Sequence, residues 1–457
     1  MKKQLLLGLM CIVILGLFVV PGFSKKNSQD QKQNIEAPGN QAVAFIGANV
    51  VPMDRERLIE DQTVIVRDGR IAEIGPSSKV KVPDGALRVD AKGKYLMPGL
   101  AEMHGHLPHP NQGEAAAKSF LTLFVANGVT TVRGMFGFPN HPELRAKIAK
   151  GEVLGPRLYV ASPALSGQSV QSPEQGEQLV RKYKQDGFDL LKVHEGLSLA
   201  AYERIAAVAK EVGIPFGGHV PNEVGIERAL KAKQSSIEHI DGYLEAVDLQ
   251  KLDQARIKQL ATMTSEAGAW VTPTLALWQT IFGRDTATVL RTQRPEVKYM
   301  PPQMVNQWTQ QRDNQLANIP ADEGQRVLDF HSQMLKALSD ATGKILLGSD
   351  APQVFSVPGF SLQREMEVMV KAGLTPYQVL ESGTRNPAIY LNAEREFGTV
   401  AVGKTADLIL VNGNPLKDVS NVSKRAGVML RGRWLPESEL SKRLDEIAAL
   451  YPTAKSN

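Results

Sequence analysis

Cysteine is almost absent. The single one, Cys11, lies inside an N-terminal apolar run, so a chain relieved of that run has no disulfide and no thiolate. Its stability must then come from its core, and any metal ion must be held by nitrogen and oxygen donors. A lipoprotein site is not expected either, because Met10 stands where a small residue would have to precede the cysteine. A dominant charge of one sign is also missing: 53 Lys and Arg face 48 Asp and Glu, a formal excess of +5 that includes Lys2 and Lys3. No cluster of basic residues with interleaved aromatics occurs, which argues against a nucleic-acid partner and leaves a small molecule as the expected one. What remains is ordinary: 42% apolar and 22% charged residues over 457 positions describe a globular chain with room for a large barrel and an accessory domain.

The N-terminus pairs Lys2 and Lys3 with an apolar run from Leu5 to Val20 and small residues at Gly22 and Ser24. This is the pattern of a secretory signal over residues 1–24, which predicts a secreted or periplasmic protein without a stable membrane anchor after cleavage. The competing reading, a retained anchor, has against it a run that is short for a span and contains glycines. Residues 25–41 are polar and carry Pro38 and Gly39, as a linker would. Short β runs follow from Ala44 to Val51, Thr63 to Arg67 and Arg70 to Gly75, the last two joined by Asp68 and Gly69, a hairpin signal. The pattern returns near the far end, from Ala406 to Val411 and on either side of Arg431 and Gly432. The expectation is a small β-sandwich domain split between residues 42–96 and 396–436, with everything from 97 to 395 inserted into it and residues 437–457 as a tail.

The inserted segment alternates short apolar strands with amphipathic stretches such as Ala200 to Val212, Val224 to Ala232 and Leu249 to Glu266. Eight strands are expected: Leu96 to His104, Val129 to Arg133, Arg157 to Val160, Leu190 to Val193, Phe216 to His219, Ser236 to His239, Trp270 to Thr274 and Ile345 to Ser349. The fold class is therefore α/β, a (β/α)8 TIM barrel, whose chemistry gathers at the C-terminal ends of its strands. An excursion over residues 275–338, with Trp278 and Trp308, is longer than one helix requires. It is either a lid over the mouth of the barrel or a helical decoration.

Strand one ends in His104 and His106, whose i, i+2 spacing lets both imidazoles reach one ion. Strand four offers Lys192, strand five His219, strand six His239 and strand eight Asp350. A lysine between Leu191 and Val193 would bear a heavy desolvation penalty as an ammonium. It is either paired with Asp189 or Glu195, or deprotonated and carboxylated by carbon dioxide into an anionic bridge between two metals. Two divalent ions in such a ring would acidify a bridging water and polarise a carbonyl, with Asp350 as the catalytic residue that shuttles the proton to the leaving amine. That implies hydrolysis of an amide or related carbon–nitrogen bond. Substrate contacts are sought in His194, two residues beyond Lys192, in Tyr243, which either donates to substrate or packs, and in Arg133, which either anchors a substrate carboxylate or forms an internal ion pair. His109 is a loop residue near the metal pair, while His141 and His331 are expected at the surface.

These motifs carry a resemblance. Met97 to His106, Leu191 with Lys192, Gly218 with His219, Ile237 to His239, Gly348 to Asp350 and the tail from Gly398 to Leu408 together resemble the amidohydrolase superfamily, in its prolidase and imidazolonepropionase-like branch. The resemblance implies that His104 and His106 hold one metal with Asp350, that His219 and His239 hold the other, that carboxylated Lys192 bridges them, and that the ions are zinc. The implied activity is that of a hydrolase of peptide or amide bonds in a dipeptide, an N-acyl amino acid or a related small amide. Two alternatives stay open: a mononuclear cyclic amide hydrolase or deaminase, and a silent binding protein of the same fold. A homo-oligomer is compatible with either.

Overall fold

The computed structural model describes residues 41–451; the expected signal segment, almost all of the linker, and Cys11 lie outside the described residues. The chain opens with β1 (Val43–Val50), β2 (Ile59–Arg67), β3 (Arg70–Pro76), β4 (Leu87–Asp90) and β5 (Tyr95–Pro98). The β2–β3 hairpin turns on Asp68 and Gly69, both at positive φ (49° and 74°), the conformation that suits the twist of a two-residue hairpin. Strand one of the barrel, expected to run on from Leu96, is instead separate. β6 (Leu100–Gly105) starts after Gly99, where a Cβ would lie 2.2 Å from Thr130 Oγ1. Pro98 and Gly99 thus break one apolar run into a strand of the outer sheet and a strand of the barrel.

The barrel continues through α1 (Gly113–Ala126), β7 (Val129–Gly134), α2 (His141–Ala149), β8 (Arg157–Val160), α3 (Pro173–Gln185), β9 (Leu191–Val193) and α4 (Leu199–Val212). Next come β10 (Phe216–Gly218), α5 (Gly225–Lys231), β11 (Ser236–Glu238), α6 (Gln254–Ala267) and β12 (Trp270–Thr272). The strands form two parallel arcs, β6-β7-β8 and β9-β10-β11-β12, joined by a parallel bridge between Ala161 and Leu190. The ring closes through residues 345–350, expected as the eighth strand. Ile345 bridges Val271, Met103 N–H donates to Leu347 O and Asp350 N–H to His104 O, both at 2.8 Å. This segment is less regular than expected because Leu347 N–H turns outward to Ser382 O instead of pairing within the barrel. β6 and β7 are buried along their whole length, as both faces of a barrel strand are covered.

The excursion folds into α7 (Leu275–Phe282), α8 (Ala287–Gln293), α9 (Pro302–Asn318) and α10 (Ala321–Thr342). α10 packs against α6 and takes the place of a barrel helix. Trp278 and Trp308 are 8% and 2% exposed, Trp308 against Phe355, so neither is presented to solvent as a lid surface. Phe360–Lys371 (α11), Pro376–Ser382 (α12) and Arg385–Tyr390 (α13) follow the eighth strand.

The chain then returns as β13 (Leu408–Val411), β14 (Arg425–Leu430) and β15 (Arg433–Pro436), and β13 pairs antiparallel with β5. One sheet in the order β15-β14-β13-β5-β1-β2-β3 results, with β4 also on β1. Although four strands apart in that order, Phe45 on β1 and Trp434 on β15 meet edge to face at 5.1 Å. The sheet therefore curls over its own apolar face, as the two layers of a sandwich do. Most of the stretch expected as a tail is helical: α14 (Glu437–Leu450) packs on α1, Leu440 sharing one apolar cluster with Val125 and Ile447 another with Leu123.

Candidate metal centre

The period-2 alternation of β6 sends Glu102 and His104 to the barrel interior, and His106 continues that face beyond the strand. His104 and His106 rings lie 5.5 Å apart, His104 and His239 4.5 Å, and His219 and His239 4.8 Å. Asp350 closes the group, its Oδ1 2.5 Å from His106 Nε2 and 3.4 Å from His104 Nε2, its Oδ2 3.9 Å from His239 Nε2. Lys192 Nζ points into the same space, 3.5 Å from His104 Nε2. All six sequence-expected ligands are thus together, and all but His106 are at most 6% exposed.

Each of the three deepest imidazoles is oriented through Nδ1. His104 Nδ1 is 2.7 Å from Glu238 Oε2, His239 Nδ1 is 2.8 Å from Thr274 Oγ1, and His219 Nδ1 bonds Asp241 Oδ2. That leaves Nε2 as the free donor atom, the arrangement that fixes tautomer and ring direction in metal-binding histidines. Burial above all holds all three far below the usual histidine pKa, so they stay in the neutral, ligating form. For Asp350 burial works upward, but His106 and His239 outweigh it and keep the carboxylate ionised. His104, His106 and Asp350 also gather their donor atoms within 4.8 Å of one another, so nitrogen and oxygen donors of the right kind converge without rearrangement.

Three of these strand ends are strained. His239, Thr274 and Asp350 carry φ of 62°, 49° and 58°, a left-handed conformation that costs a non-glycine residue about 1 to 3 kcal/mol. The kink turns the side chain at each strand end toward the centre, and the surroundings hold it there. Glu365 of α11 accepts from the N–H groups of Leu275 and Ala276 at 2.8 and 2.6 Å, pinning the chain just after Thr274. Trp278 of the excursion donates Nε1–H to His239 O at 3.0 Å. Glu102 binds the N–H of His104 and of Ser349, tying the first and last strands.

Lys192 forms no ion pair among the described residues. Of the two expected alternative partners, Asp189 is taken by Arg145 Nη1 at 2.5 Å and by Val160 N–H at 2.7 Å, and Glu195 makes no salt bridge to Lys192. Burial lowers the lysine pKa, opposed by Glu238 and Asp350. The residues therefore fit a binuclear centre with a modified lysine: an amine of reduced basicity, buried, without an anion of its own, among four imidazoles and a carboxylate.

The substrate candidates separate. His194 stands at the site, half-buried, its ring 4.4 Å from that of His219. Tyr243 does not: it is fully buried and its hydroxyl is spent on Thr264 Oγ1 of α6 at 2.7 Å. Arg133 is not an anchor either. Fully buried, it donates to both Glu238 oxygens at 2.8 and 3.0 Å, and to Ser236, Thr272, Tyr390 and Met103 O, so no N–H remains for a ligand. Its role is to hold Glu238, which holds His104. Arg133→Met is expected to leave an uncompensated buried carboxylate and to destabilise the protein by about 3 to 5 kcal/mol, read as a lowered denaturation midpoint. A loss under about 1 kcal/mol would be the behaviour of a surface pair and would contradict this role. His141 and His331, expected at the surface, are 1% and 2% exposed. His331 stacks on Trp278 at 4.9 Å. Sequence reasoning passed over Glu238, yet the same signal that marked Lys192 was there: a charge inside a buried three-residue strand.

A family model described as the amidohydrolase family matches residues 95–435, well over half of the chain. The adenine deaminase of Paracoccus denitrificans is 27% identical over 114 residues, 24% of this chain and 19% of that protein, so the chain spans about a fifth of that curated relative. The enamidase of Eubacterium barkeri is 23% identical over 388 residues, 79% of this chain and 84% of that protein. A solved Xaa-Pro dipeptidase with methionine bound in its active site matches with a TM-score of 0.67 at 20% identity, covering 87% of this chain and 100% of that one. At that identity the likeness is one of fold.

Proposed function

The chain belongs to the amidohydrolase family, and from that premise we propose that it is a metal-dependent hydrolase of carbon–nitrogen bonds acting on a small amide, such as a dipeptide or an N-acyl amino acid. In this reading His104, His106 and Asp350 would hold one divalent ion and His219 and His239 the other, with Lys192, carboxylated by carbon dioxide, as an anionic ligand that both could share. Zinc suits a set of imidazoles and carboxylates.

The observation that carries the reading is Lys192, 1% exposed and without an acidic partner among the described residues. Burial lowers the basicity of an amine so placed, and its neutral fraction adds carbon dioxide. The Nζ–C bond forms, one proton leaves to solvent, and the product is an anion of carboxylate shape. When bound, the two ions would supply Lewis acidity to the substrate carbonyl and a water ionised near neutral pH.

The chain's own residues account for the rest. Asp350, ionised and beside His106, is placed to take the proton of the attacking water and to return it to the leaving amine. Glu238, fixed by Arg133, keeps the His104 ring from rotating. His194 offers a polar contact beside His219, and Phe136 stands 6.1 Å from the His106 ring. A panel of dipeptides and N-acyl amino acids, assayed for amine release with zinc-loaded protein, should identify at least one substrate; no turnover of any member by metal-replete protein would overturn the assignment.

A further inference from the structure

His239 is anchored by one short segment of the chain. Its N–H donates to Thr272 O at 2.7 Å, its Nδ1 lies 2.8 Å from Thr274 Oγ1, and its C=O accepts from Trp278 Nε1 at 3.0 Å. Residues 272–278 are the end of β12 and the first turn of α7, so the excursion begins inside the mount of this histidine. The ring partners of His104 and His219 come instead from Glu238 and Asp241, at and just beyond the end of β11. His239 also needs a firm mount. It and Ile240 stand at φ of 62° and 59°, two successive non-glycine residues in the left-handed region, and such backbone persists only where its surroundings hold it.

α7 is eight residues long, a length that is marginal on its own, and buried groups from three other helices hold it. The carboxyl group of Glu365 in α11, 0% exposed, receives the N–H groups of Leu275 and Ala276. At the other end Arg312 of α9, 1% exposed, donates to the carbonyls of Ile281, Gly283 and Asp285 at 2.9, 2.6 and 2.8 Å, which sets a cation against the negative end of the helix. Between the two ends His331 of α10 stacks on the Trp278 indole, and its ring lies beside the same His239 carbonyl. The indole stands edge-on to the His239 ring, their centroids 6.4 Å apart. Two buried ionisable groups spent on one short helix are costly, and the residue they keep in place is the one that bonds His239.

We propose that Trp278 is a positioning residue for the ion that His219 and His239 would hold, a role that rests on the two-ion reading above, and that the excursion, clamped by Glu365 and Arg312, serves to keep the indole N–H on the His239 carbonyl. With that bond in place the backbone turn at residue 239 is fixed, and the ring, already tied to Thr274, presents Nε2 in one direction. Without it the strained turn is free to relax, and Nε2 moves off the position that the ion requires. The ion of His104, His106 and Asp350 has no such dependence, because among the described residues none of the three bonds a residue of the excursion.

Zinc binding to the metal-free protein, measured by competition with a chromophoric chelator, tests this without any turnover. The native protein should show two dissociation constants. In Trp278→Phe, which keeps a ring on His331 and removes the indole N–H, one of the two should rise about tenfold, the lower end of what losing an outer partner costs a metal site, while the other stays unchanged. Glu365→Gln, which keeps the indole but turns an amide N–H toward one of the two backbone N–H groups, should raise the same constant. Trp308→Phe, elsewhere in the excursion against Phe355, should lower the denaturation midpoint and change neither constant. Two native-like constants in Trp278→Phe would overturn the proposal, as would equal rises in both, since a general loss of stability acts on both ions alike. Fewer than two ions on the native protein would reject the two-ion reading and this role with it. A selective loss in a protein that hydrolyses no amide would keep the positioning role and reject only the hydrolase reading.

Discussion

Lys192→Ala is expected to lose bound metal and all measurable amide hydrolysis, and added acetate or propionate is expected to restore part of both. The substitution removes a side chain that reaches the centre of the site, 3.5 Å from His104 Nε2, and leaves a space bounded by buried residues. A short carboxylate entering that space presents the two oxygens that a carbamate would present. Stability of the metal-free protein should change little, since removing a buried amine that makes no salt bridge among the described residues relieves a desolvation penalty and offsets the packing lost. Metal content by mass spectrometry and amine release measure the two effects separately. A variant that keeps two ions and full activity would mean that Lys192 is only structural, as it would be in a one-ion cyclic amide hydrolase.

Asp350→Asn should lower kcat by about 10² to 10⁴, the range of a positioned proton-transfer group, without unfolding the chain. Asparagine is among the few residues at ease in the left-handed backbone region that position 350 occupies, with φ of 58°. The backbone bond from residue 350 N–H to His104 O also survives the change. What is lost is the charge that His106 and His239 hold ionised in spite of burial, and with it the acceptor for the proton of the attacking water. Circular dichroism should match the native protein. A kcat within a factor of about ten of native would place proton transfer elsewhere.

Much of the architecture was legible because its signals are local. The Asp68 and Gly69 turn, the alternation of short apolar strands with helices, and the return of β runs after Ala406 each follow from neighbours along the chain. Where the reading erred, the deciding contact was remote. The break at Gly99 is imposed by Thr130, on another strand. Tyr243 faces the helix layer because Thr264 of α6 is there to receive its hydroxyl. His331 is buried because Trp278, 53 positions earlier by numbering, stacks on it. Helical stretches rich in Gln and Asn gave no hint of an inward face, so the excursion read as lid or decoration when its first helix in fact braces His239.

The sequence by itself determined the ring of candidate ligands. In a parallel barrel every strand ends on the same face, so His104, His106, Lys192, His219, His239 and Asp350, each at or just beyond a strand end, converge whatever the details of packing. Only the tertiary structure decided what surrounds that ring. Among the described residues it gave Lys192 no acidic partner in salt-bridge contact, and it spent every donor of Arg133 on Glu238 and its neighbours. The physical reason is the same in each case. Strand position fixes where a side chain starts, but whether a buried charge or ring is paired depends on which groups from distant segments arrive within about 3 Å, the reach of a hydrogen bond.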